Sequence, residues 1–278
     1  MWSESNECAK LLAEMAIKAL LDEAELTPKP GLVDSRSSGS HVNMNIAMMR
    51  ASAESLRPCF EAMGRAAYGR QPNQELREEL ALLGRNGEKR MLEVTRGVNT
   101  HRGAIWALGL LLAGAAVHRG ATAPAVIAAT AGRIANFSDR FAPEQWTNGM
   151  DANLKYGVQG ARGEALQGFP HVIRIGVPVL QRMRKSYSES TARLHALLAI
   201  MSTLQDTCLL HRGGQEALET AQRGAASVLE RGGIETAAGW QAYCVLEQSL
   251  LERRLSPGGS ADLLAAVLLL DSIHSTAS

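Results

Sequence analysis

Residues 103–117 read GAIWALGLLLAGAAV, the longest apolar run in this chain of 278 residues. The run is shorter than the roughly 20 apolar residues that a helix needs to span a bilayer. It therefore predicts a helix buried in the core of a globular protein, and we expect no membrane partner.

Helical periodicity continues outward from this run toward both ends of the chain. No stretch shows the sustained period-two alternation that is typical of strands. We therefore predict an all-α protein, one compact domain over residues 1–278 with about ten helices. Pro58 is expected to kink or split the second of them. The helical stretches are 8–20, 43–68, 75–83, 105–117, 124–134, 172–183, 192–204, 215–229, 237–251 and 261–273.

The composition is that of an ordinary globular protein, with 46% apolar and 21% charged residues. These values exclude a disordered polyelectrolyte. The 29 Lys and Arg residues nearly balance the 28 Asp and Glu residues, so the formal net charge is +1. This balance gives no reason to expect a nucleic-acid partner. A homodimer is left open.

The cysteines and the first residues bear on the compartment. The chain has four cysteines without a CxxC pair, so neither a zinc ribbon nor a disulfide framework is indicated. Glu4 and Glu7 precede the first lysine, which is the wrong charge order for a signal peptide. We expect a cytoplasmic protein.

Four long polar segments interrupt the helical pattern. They are 25–41 (ELTPKPGLVDSRSSGSH), 96–103 (RGVNTHRG), 148–171 (NGMDANLKYGVQGARGEALQGFPH) and 205–214 (QDTCLLHRGG). Long loops are uncommon in a compact helical domain unless they carry function. We therefore predict that these four Gly-rich loops form the active-site cleft.

The loops contain the residue types that bind phosphate. A Gly-rich turn before a helix offers free N–H groups and a positive dipole end, and a guanidinium can bind phosphate with two hydrogen bonds. Lys29, Arg102 and Arg212 each lie beside such a turn. The predicted substrate-binding residues are Lys29, Gly31, Asn99, Arg102, Gly103, Tyr156, Arg162, His211, Arg212 and Gly213.

Carboxylates in the same loops are candidates for metal binding, because Mg²⁺ on a polyphosphate usually takes one or two of them. The four are Asp34, Asp151, Glu164 and Asp206. Each has a structural alternative as an N-cap or a surface charge, and Asp206 is placed to cap the turn that leads to Leu209. Cys208, in an apolar run, is interpreted as a small core residue rather than a nucleophile.

Five segments together resemble the triphosphoribosyl-dephospho-CoA synthase family. They are TPKPGLVD (27–34) with GSH (39–41), GVNTHRGAI (97–105), KYGVQGARGEALQGFP (155–170), DTCLLHRGG (206–214) and PGGSADLLA (257–265). The resemblance runs over residues 25–265. In overall likeness the sequence is more similar to the malonate decarboxylase branch of this family than to the citrate lyase branch.

The resemblance implies an all-α enzyme that joins ATP to 3′-dephospho-CoA and releases adenine. The product would be 2′-(5″-triphosphoribosyl)-3′-dephospho-CoA, the prosthetic-group precursor of an acyl-carrier subunit. A separate transferase would attach it. The bond broken is the glycosidic bond between C1′ and N9, and the triphosphate is kept.

This reaction needs a phosphate clamp, a base for the attacking 2′-hydroxyl and assistance to the departing adenine. We assign the clamp to Lys29, Arg102 and Arg212, with Mg²⁺ held by Asp34 and Asp206. Glu164 is the predicted general base. His41 or His101 is expected to serve the leaving adenine, and Tyr156 and Phe169 are the stacking candidates within a signature loop.

Two other classes of function compete with the synthase. One is a helical Mg²⁺-dependent enzyme similar to ADP-ribosyl hydrolases, in which water replaces dephospho-CoA. The other is a non-catalytic helical adaptor, which predicts an extended apolar patch instead of a charged cleft.

Overall fold

The computed structural model describes residues 2, 4–120, 122–143 and 148–277. Every regular element in these residues is helical, with thirteen α-helices, one π-helical segment and no strand, which confirms the all-α prediction. The α-helices are α1 Ser5–Glu25, α2 Ile46–Ser55, α3 Arg57–Ala67, α4 Gln74–Val94, α5 Arg102–Val117, α6 Pro124–Ala135, α7 Asn148–Tyr156, α8 Gly160–Leu166, α9 Val177–Met183, α10 Glu189–Met201, α11 Thr207–Glu230, α12 Ala237–Glu252 and α13 Gly258–Ala277. The π-helical segment, His171–Gly176, joins α8 to α9.

Helix α5 is the buried centre of the molecule, as its apolar sequence predicts. It packs against α1, α3, α4, α6, α8 and α13. Small residues let the helices approach closely: a Cβ on Gly114 would lie 2.6 Å from the carbonyl oxygen of Ile127 in α6. Close backbone packing of this kind lets a core poor in aromatic side chains reach normal density. No helix in the described part of the chain has both the length and the hydropathy to cross a membrane.

Proline divides the second predicted helix as expected. Helices α2 and α3 meet at Leu56, and Pro58 lies in the first turn of α3. A proline is tolerated in that turn because its missing N–H would have no helical partner there.

The interpretation of residues 148–171 and 205–214 as loops was wrong, because most of both segments is helical, and residues 207–214 are the start of α11. The first segment folds as α7 and α8, followed by the start of the π-helical segment. Three glycines with positive φ interrupt the helices, Gly157 at 69°, Gly160 at 53° and Gly168 at 72°. Three of the five glycines that suggested a loop therefore lie at the breaks between short helices.

Candidate active site

A cavity of about 880 Å³ lies where the four polar segments meet the start of α13. Its wall takes residues from Glu23 in α1 to Leu263 in α13. The ends and connections of the helices therefore bring distant parts of the chain to one site.

The N-termini of three long helices meet at this cavity. Arg102 begins α5, Thr207 begins α11 and Gly258 begins α13, and all three residues line the wall. The first turn of a helix carries unpaired N–H groups and a partial positive charge. The helix dipoles therefore direct partial positive charge at the cavity, in a protein whose net charge is close to zero. Buried carboxylates already accept hydrogen bonds from several N–H groups of these first turns.

Most of the predicted site residues border the cavity. The lining includes Lys29, His41, Asn99, His101, Arg102, Gly103, Glu164, Asp206, His211 and Arg212. It does not include Gly31, Asp34, Tyr156, Arg162 or Gly213.

Lys29 is not a free cation in the cavity, because it forms a buried ion pair. Its Nζ donates to the carbonyl oxygen of Glu23 at 2.6 Å and to Oε1 of the same residue at 2.7 Å. Both side chains are almost fully buried. Breaking such a pair leaves one charge unpaired in a dry site, so the two residues act as a unit.

Asp34 organises the first polar loop. Its carboxylate accepts from the backbone N–H groups of Lys29 at 3.2 Å, Arg36 at 2.8 Å and Ser37 at 3.0 Å. The Arg36 guanidinium adds a further hydrogen bond at 3.0 Å. Gly31 shapes the same loop, since it has a φ of 70° and a Cβ there would lie 2.7 Å from the carbonyl oxygen of Leu255.

Asp206 caps two helices at once. Its Oδ1 accepts from the N–H groups of Cys208 at 2.9 Å and Gly259 at 3.3 Å. Its Oδ2 accepts from the N–H of Ser260 at 2.8 Å and from the hydroxyl of that residue at 3.0 Å. Burial raises the pKa of this carboxyl, while the hydrogen bonds from Ser260 and Cys208 lower it. The carboxylate thus joins the start of α11 to the start of α13.

The two carboxylates predicted to hold Mg²⁺ do not fit that task in this structure. Asp206 borders the cavity and Asp34 does not, and the oxygens of both are occupied by N–H and O–H donors. Across the described ranges, no group of three or more His, Cys, Asp or Glu side chains is arranged to hold a metal ion.

Asp262 is a carboxylate of the cavity wall that the sequence reasoning did not assign. Its Oδ2 lies so close to Gly103 that a Cβ there would be 2.0 Å away. Burial raises the pKa of Asp262 well above its ordinary value, the charges of Glu23 and Asp206 raise it further, and a hydrogen bond from the N–H of Ala104 lowers it. One signal was available in the sequence: Asp262 is the sole charged residue in the segment PGGSADLLA.

Glu164 is held by His171. Its Oε1 accepts from the backbone N–H of His171 at 2.8 Å, and its Oε2 lies 2.7 Å from Nδ1 of the same residue. The hydrogen bond to Glu164 is the main cause that raises the pKa of His171. The carboxylate is therefore buried, oriented and in contact with a group that takes up a proton readily.

The two candidate histidines are neutral at neutral pH. Burial lowers the pKa of His41 to about 4, with a further contribution from the charge of Arg212. Burial also lowers the pKa of His101 to about 4, assisted by the charge of Lys29. Nδ1 of His101 shares a hydrogen bond of 2.7 Å with the hydroxyl of Ser52. Its Nε2 is buried and has no hydrogen-bond partner among the residues described.

The arginines of the cavity differ in how far they are neutralised. Arg102 pairs with Glu88. Arg212 instead donates to the carbonyl oxygen of Arg254 at 3.2 Å, and within the described residues it has no carboxylate partner. Arg254 also lines the wall. Arg212, one helical turn into α11, and Arg254 are therefore the arginines of the wall that no carboxylate in the described residues neutralises.

The aromatic residues do not follow the prediction. Tyr156 lies outside the cavity lining, and Phe169 lines it but is fully buried. Trp106 also lines the cavity and is only partly buried. It was missed because it stands inside the apolar run that predicts the core helix. Its position one turn after Arg102 is the signal that could have found it.

A family model described as CitG, ATP:dephospho-CoA triphosphoribosyl transferase, matches residues 9–278 of this chain. A protein of Pseudomonas fluorescens strain Pf-5 is 51% identical over 276 residues, which covers 98% of this chain and 94% of that protein. A protein of Stutzerimonas stutzeri is 51% identical over 278 residues, covering 99% and 96%. Each relative is named a probable 2-(5″-triphosphoribosyl)-3′-dephosphocoenzyme-A synthase.

A crystal structure from Archaeoglobus fulgidus has a similar fold. The protein is provisionally named a triphosphoribosyl-dephospho-CoA synthase, and the TM-score is 0.51 at 18% identity. The match covers 82% of this chain and 98% of the other. At this identity the likeness shows a shared arrangement of helices.

Proposed function

The chain belongs to the ATP:dephospho-CoA triphosphoribosyl transferase family, and from this premise we propose the reaction that it catalyses. It transfers the 5-triphosphoribosyl group of ATP to the 2′-hydroxyl of 3′-dephospho-CoA and releases adenine. The observation that supports this proposal is the cavity, where three helix N-termini and Arg212 meet buried carboxylates. A triphosphate needs the first set of groups, and a ribosyl transfer needs the second.

The triphosphate is proposed to lie against Arg212 and Arg102, near the start of α11. Arg212 is the stronger candidate because no carboxylate in the described residues neutralises it. Lys29 also borders the cavity. Because it is paired with Glu23, it adds little net positive charge there, and its proposed role is to hold the wall in place. A triphosphate fixed in this way would position C1′ of the ribose, the atom of ATP that reacts, for attack by the 2′-hydroxyl.

Glu164 is the proposed general base. It would take the proton of the 2′-hydroxyl while that oxygen forms the new bond to C1′. His171 holds both carboxylate oxygens, which fixes the direction of their remaining lone pairs. His41 and His101, both neutral, are proposed to serve the departing adenine as hydrogen-bonding groups rather than as cationic acids.

Mg²⁺ remains a predicted companion of ATP. Because Asp34 and Asp206 do not form a joint site, we assign the ion no protein ligand and no step in the reaction.

The finer proposal is that the product serves a malonate decarboxylase, whose acyl-carrier subunit would receive it from a separate transferase. The likeness of the whole sequence to that branch supports this choice over citrate lyase. Deletion of the gene should abolish growth on malonate and leave citrate fermentation intact, with growth restored by a plasmid copy. The reverse pattern would assign the enzyme to citrate lyase.

Mass spectrometry tests the reaction directly. The purified protein is incubated with ATP, Mg²⁺ and dephospho-CoA, and we expect free adenine and the joined product in equal amounts. A parallel sample omits dephospho-CoA. Adenine release in that sample would indicate a hydrolase instead, and absence of ATP binding would indicate the non-catalytic adaptor.

A further inference from the structure

We propose that Trp106 is the platform on which a substrate adenine ring stacks, with Arg77 supporting the indole from one side. The inference rests on the proposed function, because both ATP and dephospho-CoA carry an adenine. It adds a base-recognition residue that the phosphate and carboxylate groups of the cavity do not supply.

The position of Trp106 places its ring at the substrates. It follows Arg102 and Gly103 by about one helical turn on α5, and all three residues line the cavity. Side chains one turn apart lie on the same face of a helix. The ring therefore belongs to the helix face that carries Arg102, part of the proposed triphosphate site, and Gly103, on which the carboxylate of Asp262 packs.

The indole is fixed before any ligand binds. Its Nε1–H donates to the carbonyl oxygen of Ala161 at 3.1 Å, which ties α5 to the first turn of α8. The Arg77 guanidinium, from α4, lies 5.1 Å from the ring centroid. A ring held at its edge and covered on one side loses little freedom when a base stacks on it.

Arg77 gives independent evidence that this contact is unusual. It is buried, and its Nε has no hydrogen-bond partner among the residues that the structure describes. A buried guanidinium N–H without a hydrogen-bond partner is costly unless another interaction offsets the cost. The interaction present here is with the electron-rich face of Trp106.

Of the aromatic side chains in the described lining, only Trp106 and Phe169 are candidates for stacking, and Phe169 is wholly buried. Stacking of a purine on an aromatic side chain uses the face of the base and leaves its edges free. Removing the aromatic side chain commonly weakens binding of the base about tenfold or more. The indole is therefore the surface at which an adenine ring fits.

Binding measurements on Trp106→Leu and Trp106→Phe test the proposal. The ligands are ATP, dephospho-CoA and ribose 5-triphosphate, which keeps the triphosphate and lacks the base. We expect Trp106→Leu to raise the Kd of one adenine ligand about tenfold, with Trp106→Phe within about threefold of wild type. The ligand affected identifies which adenine stacks. The Kd of ribose 5-triphosphate should not change.

A merely structural role for Trp106 gives a different result. Loss of packing against Arg77 would weaken the binding of all three ligands together, and that outcome overturns the proposal. Unchanged binding of both ATP and dephospho-CoA would overturn it as well. Trp240→Phe is the control, because Trp240 is exposed and lies outside the cavity lining.

Fluorescence gives a second readout that needs no Leu variant. ATP or dephospho-CoA should quench the tryptophan fluorescence of the wild-type protein more than that of Trp106→Phe. Equal quenching of the two proteins overturns the proposal. The activity assay is separate: wild type that binds and stacks adenine without releasing it would refute the proposed reaction and leave the stacking site standing.

Discussion

At the scale of single residues, charged groups in the cavity wall and in the first polar loop have partners that limit their chemistry. Lys29 is committed to Glu23, and Asp34 and Asp206 are committed to N–H donors. These commitments join segments that are far apart in sequence or that fold back within one loop. Lys29 and Asp206 were singled out because both stand in polar segments, and both line the cavity. The sequence could not show which hydrogen bonds they make.

Glu164→Gln should reduce adenine release by about 10²-fold or more, because the amide cannot accept the 2′-hydroxyl proton. The measurement is initial-rate release of adenine with both substrates saturating. Glu219→Gln is the matched control on the exposed part of α11 and should retain wild-type activity. Near-wild-type release from Glu164→Gln, with release abolished in Asp34→Asn, would refute the assignment of the base.

At the scale of elements, the first turns of the helices supply more of the cavity wall than the middle turns do. The periodic apolar pattern predicted most helices because one face of each is buried, but it did not predict α7 and α8, whose glycines masked short helices. Asp262 and Trp106 were missed for a related reason. Both stand inside helices, where a charged residue is usually interpreted as part of the solvent-exposed face and an aromatic residue as part of the core.

Asp206→Ala should destabilise the protein by about 2 kcal/mol or more. The substitution removes the cap of α11 and also the acceptor of the hydrogen bonds from Gly259 and Ser260 in α13. Ser188→Ala is the comparison, since the Ser188 hydroxyl accepts from Thr191 N–H and caps α10 alone. We expect about 1 kcal/mol for that variant. Urea denaturation measures both free energies of unfolding, and equal losses would contradict the double-capping interpretation.

Gly103→Ala should lower activity and stability even though alanine favours helix. The new Cβ would meet Oδ2 of Asp262, and the expected cost is about 1–3 kcal/mol. Gly109→Ala is the matched change in the same helix, where the near atoms belong to the flexible side chain of Met63. It should cost less in thermal unfolding and leave adenine release near wild type. A Gly103→Ala enzyme as active and stable as wild type would show that Asp262 can move freely.

At the scale of the whole molecule, a net charge of +1 conceals a cavity with an unneutralised cation and three helix N-termini. We expect the KM for ATP to rise with ionic strength, because salt screens the attraction of a polyanion to this region. Arg212→Gln should raise the KM at low salt and flatten its salt dependence. Arg223→Gln, on the exposed surface of α11 and paired with Glu219, should follow wild type. A salt slope unchanged by Arg212→Gln would place the phosphate clamp elsewhere.

The shared cap of α11 and α13 has a consequence for the order in which the protein becomes competent. Asp206 receives three of its four donor groups only when Gly259 and Ser260 have docked, more than fifty residues further along the chain. The opposite wall comes from Glu23 and Lys29 near the other end. A chain that has not yet reached Leu263 therefore lacks part of the cavity wall, and we predict that such a chain does not bind ATP.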